Sequence, residues 1–225
     1  MRKQTMMVAG AVLGLGLAVA ACDVNVGFGG EQATQSYDVD GVNVVDAHTG
    51  SGDVVIEESD RAVVHVTETL HWRGDRPGNG HSMSGGTLTL SYRCRSCSVD
   101  YKVEVPRGLD VRLDSGSGNI TLRQLTGPVQ ASSGSGDIDA RGLGGKRVTA
   151  ETGSGEVRLR FATVPDQVQV ETGSGDGVVW VPSESYDVTT ETGTGDRTVQ
   201  VAQDPSAPRT IVVRTGAGDA KVLRA

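Results

Sequence analysis

The 225-residue chain is only 36% hydrophobic and 4% aromatic, holds 32 glycines and carries a formal net charge of -7. So thin an apolar complement excludes an ordinary single core of this length. The acidic balance argues against nucleic acid as a partner and against direct docking on anionic lipid headgroups.

In chain order, residues 1–21 open with Arg2 and Lys3, continue through an apolar run from Met6 and end in small residues. That is the pattern of a secretory signal, too short and glycine-rich for a comfortable membrane span. Val19-Ala20-Ala21-Cys22 resembles the bacterial lipobox, which implies diacylation of Cys22 and a lipid-anchored, extracytoplasmic protein. Residues 22–36 are glycine-rich and polar, and predict a flexible tether. The folded domain is expected over 37–225. Its first coils are expected around Val42 to Val45, Val54 to Ile56 and Val63 to Val66, and no helix is indicated.

Residues 71–86 break the alternation with five glycines and a proline, and predict a protruding loop. The loop contains Arg73-Gly74-Asp75, an integrin-binding tripeptide in some host proteins but too short to assign a function here, and the bystanders His71 and His81. Cys94 and Cys97 then flank a two-residue corner between alternating segments. In an exported protein that spacing reads as a local disulfide. A zinc site would need two further ligands, for which only His71 and His81 are near, and a redox pair would want a helix N-terminus.

The phrase [Ser/Thr]-Gly-x-Gly-[Asp/Asn/Glu] occurs seven times, with first glycines at Gly50, Gly116, Gly134, Gly153, Gly173, Gly193 and Gly216. The last six are spaced by 18, 19, 20, 20 and 23 residues. This period predicts a single-stranded parallel β-helix, a β-solenoid of about 20 residues per coil with Gly-x-Gly-Asp corners. Residues two apart on a strand share a face, so an inward ladder should recur at fixed offsets. Before the motif the pairs run from Val45 and Ala47 to Ile211 and Val213; after it they run from Val54 and Ile56 to Ala220 and Val222. Gly177 and Arg197 break the apolar rule. The 66-residue gap between Gly50 and Gly116 is expected to hold about three coils stacked between them. The last coil, Ile211 to Leu223, is expected to be the open edge of the stack, either a frayed and solvated edge or a docking strip for a further strand.

Two surface features are singled out. If Gly177 keeps its inward slot, Val178 and Trp180 form an exposed apolar contact patch; if Gly177 is a bulge, Trp180 belongs to the core. The second feature is a pair of acidic rows, Asp137, Glu156, Asp176 and Asp196 after the second glycine, and Glu151, Glu171 and Glu191 before the first. Stacked like charges about 5 Å apart repel. Either the aspartates accept hydrogen bonds from corner amides while water screens the glutamates, or the rows form oxygen sites for a divalent cation such as Ca2+.

A lipobox, a cysteine pair ahead of Ser98-Val99-Asp100-Tyr101-Lys102-Val103-Glu104-Val105-Pro106, and tandem Gly-Ser-Gly-Asp-[Ile/Val] units resemble the bacterial putative-adhesin family of β-strand-repeat proteins from Tyr37 to the C-terminus. The resemblance implies a surface location and supplies no catalytic residues. There is no Gly-x-Ser-x-Gly elbow, His-Glu-x-x-His, phosphate-binding loop or dinucleotide fingerprint. The sequence therefore predicts a non-enzymatic, lipid-anchored envelope-interaction module, monomeric, with an envelope component or protein as partner. The alternatives are an accessory or sensory lipoprotein of an envelope-stress system and a polysaccharide-active β-helix enzyme.

Overall fold

In the computed structural model, residues 20–27, 30–92 and 96–225 are described, with side chains for 30–92 and 96–225. The first eight strands are β1 (Ala20–Gly27), β2 (Gly30–Val39), β3 (Val44–Ser51), β4 (Val54–Glu58), β5 (Val64–Trp72), β6 (His81–Ser84), β7 (Thr87–Ser91) and β8 (Cys97–Val105). The array continues as β9 (Asp110–Ser117), β10 (Ile120–Arg123), β11 (Val129–Ser135), β12 (Ile138–Leu143), β13 (Arg147–Ser154), β14 (Val157–Phe161), β15 (Gln167–Ser174) and β16 (Gly177–Val181). It closes with β17 (Ser185–Thr194), β18 (Arg197–Val199), β19 (Ala202–Gln203), β20 (Thr210–Ala217) and β21 (Ala220–Arg224). No helix occurs among the described residues.

The strands form two facing, mostly parallel sheets. One runs β1-β2-β5-β8-β4-β10-β12-β14-β16-β21-β18, the other β19-β17-β20-β15-β13-β11-β9-β3-β7-β6. Each Gly-x-Gly motif ends a strand of the second sheet and leads into a strand of the first. The inward ladders meet between them: Val111, Ile120, Ile138, Val157, Val170, Ile211, Val213, Ala220 and Val222 are all fully buried. Each filled slot contributes about 1 to 3 kcal/mol, and only stacking can bury it, because one repeat is too thin to cover its own inner face.

The stacking does not follow chain order. The Gly50 repeat lies directly on the Gly116 repeat, pairing Val45 with Val111 and Ile56 with Leu122, and the intervening strands lie beyond it. The expected three coils between these motifs are therefore absent from that position. At the other end β20 pairs with both β15 and β17, so the last repeat is inserted inside the one before it. The outer edge is β18 in one sheet and β17, with the two-residue β19 beside its start, in the other, not Ile211 to Leu223, which corrects the expectation for the C-terminal strands.

Side-chain chemistry accounts for this order. The Gly193 repeat offers Thr190 and Arg197 to inward slots and leaves Val188 and Val199 only partly buried. Sandwiching Arg197 between two repeats would strip a charge of water at a cost of several kcal/mol. The Gly216 repeat is wholly aliphatic there, so it takes the buried layer and the polar repeat caps the end.

Two segment boundaries also differ from expectation. Strand β2 begins at Gly30, inside the expected tether of residues 22–36, and pairs antiparallel with β5 from Glu31 opposite Trp72 to Val39 opposite Val64. Of its few apolar side chains, Ala33 and Tyr37 are buried and Val39 partly so; the strand forms because β5 presents an edge to be covered. The expected loop at residues 71–86 shrinks to 73–80: Trp72 is a buried strand residue, and β6 folds back on β7 through Gly85 and Gly86, both at positive φ.

Candidate binding site

The acidic row after the motif is a hydrogen-bond ladder. Asp53 Oδ1 accepts from the backbone N-H of Asn119 at 2.9 Å, and Asn119 Oδ1 from that of Asp137 at 3.0 Å. Asp137 Oδ1 accepts from the N-H of Glu156 at 2.8 Å, Asp176 from Asp219 at 2.8 Å, and Asp219 from Asp196 at 2.9 Å. Hydrogen bonds to the Asp196 amide and the Lys221 ammonium pull the Asp219 carboxyl below its ordinary range. Glu156 is one methylene longer, turns away from the ladder and pairs with Arg158.

The glutamate row is compensated by the strand insertion. Arg214 falls in register between Glu171 and Glu191, donating to Glu171 Oε1 at 3.2 Å and Glu191 Oε2 at 3.0 Å. Glu151 stands next to Glu171 in register. Among the described residues no group of three or more His, Cys, Asp or Glu side chains is placed to hold a metal ion.

Gly177 keeps its inward slot in an unbroken register with Val157 and Ala220. A Cβ there would stand 2.8 Å from Val213 Cγ1 and 3.2 Å from Val170 Cγ1, so glycine makes room for larger neighbours. Val178 and Trp180 do face outward, yet Val178 is only 7% exposed and Trp180 is half-buried with the Arg160 guanidinium 4.7 Å above its ring. The expected patch is a covered, cation-capped surface.

The residues that sequence reasoning passed over lie at the other end. On β5 the inward positions are Val64, Val66, Glu68, Leu70 and Trp72, and Glu68 is completely buried, the one charged residue so placed among those described. A buried carboxylate needs donors. Tyr92 donates its hydroxyl to Glu68 Oε1 at 2.6 Å, Tyr37 donates to Oε2 at 3.3 Å, and Gln35 Nε2 also donates to Oε1. Burial first, then the nearby Glu68, push the phenols of Tyr37, Tyr92 and Tyr101 well above the usual tyrosine value. His81 stacks on Tyr37 at 4.2 Å, and the Arg76 guanidinium lies 5.5 Å from the centre of the Trp72 ring.

Beside this cluster the 73–80 segment roofs a cavity of about 370 Å³ lined by Gln35, Leu70, Arg76, Asn79, His81 and Tyr92, among others. The Trp72 Nε1, His81 Nδ1 and Tyr101 hydroxyl are buried with no hydrogen-bond partner among the described residues. Three of the four tyrosines and one of the two tryptophans thus converge on one end of the array. The signal was present: in an alternating strand, Glu68 has the parity of its apolar neighbours and not of its polar ones.

Residues 1–19 of the expected signal and the side chain of Cys22 lie outside the described residues, as does Cys94; Cys97 opens β8.

Fold and site define an all-β repeat protein of two facing, parallel-rich sheets with a polar cavity beside a buried aromatic cluster at one end. The chain belongs to the Toastrack DUF4097 family, which matches residues 92–223. Among solved structures it is similar to a putative cell adhesion protein from Clostridium sporogenes (14% identity, TM-score 0.52, covering 85% of this chain and 99% of that one). It is also similar to a putative adhesin from Bacteroides fragilis (14% identity, TM-score 0.45, 85% and 97%). At such identities the likeness concerns the fold alone. No curated protein matches the sequence.

Proposed function

We propose that the protein is an exported, lipid-anchored, non-enzymatic binding module of the cell envelope, adhesin-like in the sense of its structural neighbours. In this reading the array is a single-stranded β-helix of about 20 residues per coil, with Gly-x-Gly-Asp corners, that carries the recognition end. Cys22 bears the lipid, Cys94 and Cys97 form a local disulfide ahead of β8, and the molecule is a monomer whose partner is an envelope component and not nucleic acid.

The observation that carries the reading is the division of labour around Glu68. The carboxylate is filled by donors from Tyr37, Tyr92 and Gln35, as befits a structural group, whereas Arg76, Asn79 and His81 line the adjoining cavity. A cavity with Leu70 and Tyr92 in its wall and a few convergent polar groups suits recognition. The test is retention of the full chain on cell-wall glycans and membrane-protein fractions, with Arg76→Ala and Asn79→Ala as variants. Retention is expected to fall in both at unchanged melting temperature; unaltered retention, or release of reducing sugar from the glycan, would overturn the reading. Cys22→Ser should abolish fatty-acid labelling, and a variant that is still labelled would remove the anchor.

A further inference from the structure

The first sheet carries a local file of cations that the net value of -7 conceals. On the outer face of the first sheet Arg123, Arg141 and Arg160 stand opposite one another on the adjacent strands β10, β12 and β14. The file continues into Trp180 and Leu223 and meets Glu57 at its other end. In the neighbouring row Arg158 and Lys221 flank Val178. All three arginines are exposed; Arg141 is held by Asp139 at 2.7 Å, Arg160 lies over Trp180, and Arg123 has no ion pair among the described residues.

Cations at the inter-strand spacing of about 4.8 Å repel one another. The second sheet relieves its own row by setting Arg214 between Glu171 and Glu191. No acid interrupts the file from Arg123 to Trp180.

We propose that this file is a docking strip for a linear polyanion running along the stacking axis, in addition to the cavity beneath residues 73–80. Charge complementarity selects an anionic partner, and the guanidinium fork suits phosphate or carboxylate groups. The geometry favours a chain over a bilayer surface. An anionic bilayer would be met by projecting apolar side chains, but Val178 is buried, Trp180 lies under Arg160, and the exposed large hydrophobic among the described residues is Met83, on the other sheet. Cations in single file match a polymer strand, and the pitch of the array sets their spacing.

The probe is long-chain polyphosphate, titrated against the purified full chain at low and physiological salt. Polygalacturonate serves as a second arm to distinguish phosphate from carboxylate. Binding is expected to weaken steeply with salt and to fall about tenfold or more in Arg123→Gln/Arg141→Gln. The charge-matched pair Arg112→Gln/Arg147→Gln, on the other sheet, should bind as the wild type does. Melting curves establish that both variants fold. Equal weakening in the two pairs would mean that net charge alone matters and would overturn the strip. So would failure to bind either polymer at low salt, or tighter binding to phosphatidylglycerol vesicles than to either polymer.

Discussion

The insertion of the last repeat inside the one before it makes a sharp prediction, tested by placing one carboxylate in each of two adjacent slots. Val213 is fully buried with Val170 on one side and Thr190 on the other. Val213→Asp forfeits about 2 kcal/mol of valine burial. At pH 7 it must also protonate a carboxyl whose ordinary value is about 3.9, raised by about three units, which costs about 4 kcal/mol more. The total of about 6 kcal/mol is comparable with the whole stability of a typical domain, so the variant should be unfolded or nearly so at ambient temperature. Thr190→Asp, on the capping repeat, keeps access to water and should cost under about 1 kcal/mol. Urea unfolding followed by circular dichroism measures both, and Val213→Ala against Val188→Ala gives a milder version if the aspartate variant does not express. Were the repeats stacked in chain order, Thr190 would be the sandwiched residue and the ranking would reverse. A larger loss at Thr190 than at Val213 refutes the order.

Four other outcomes are expected. All four tyrosines are held above their ordinary value, with burial the first cause, so each favours the fold fully below the unfolded value of about 10 and loses that contribution as pH rises beyond it. Tyrosinate absorbance should therefore stay silent through pH 10 and appear in one step with unfolding, and early titration of three phenols would contradict the cluster. Asp137→Ala removes a charge-assisted acceptor from the Glu156 amide and should lower stability by about 1 to 2 kcal/mol in thermal melts. Because one oxygen each of Asp53, Asp137, Asp176 and Asp219 is occupied by a backbone amide, adding a chelator should leave the melting temperature unchanged; a marked fall would restore the cation reading. Gly177→Val, which forces a branched side chain against Val213 and Val170, should cost 1 kcal/mol or more in the same melts.

The inward ladders were legible in the sequence because two periods coincide. Alternation along each strand gives the face, and recurrence after each motif gives the stack, so Val111, Val129 and Val148 name one another as neighbours. Strand order was not legible, since equivalent aliphatic slots make every repeat an acceptable neighbour for every other. The only written sign of it was Arg197, which read as an exception until its place at the end of the stack, beside the polar Thr190 of the same repeat, explained it. The site was half legible. The parity of Glu68 was there to be seen, but its donors come from positions 35, 37 and 92, which only the pairing of β2 with β5 and the fold-back of the chain past the β6–β7 hairpin bring together. Asp100, which begins the ladder by accepting from the Asp53 amide, carries no glycine motif and so gave no sign.

The inserted repeat also bears on the order of events during synthesis. Strand β17 is held along most of its length by β20 alone, and β18 by β21. A nascent chain emerging from its amino end can zip Gly116 to Gly173 one repeat at a time, but residues 185–203 must then wait as an unmatched layer until residues 210–224 arrive to slide beneath them. The final segment is a keystone. Trimming it would not shorten the stack by one layer but would leave two, the missing one and the cap stranded above it, without a seat. A protease meeting an incompletely synthesised chain would find that stranded layer open to cleavage, and the same layer closed once the last strands are in place.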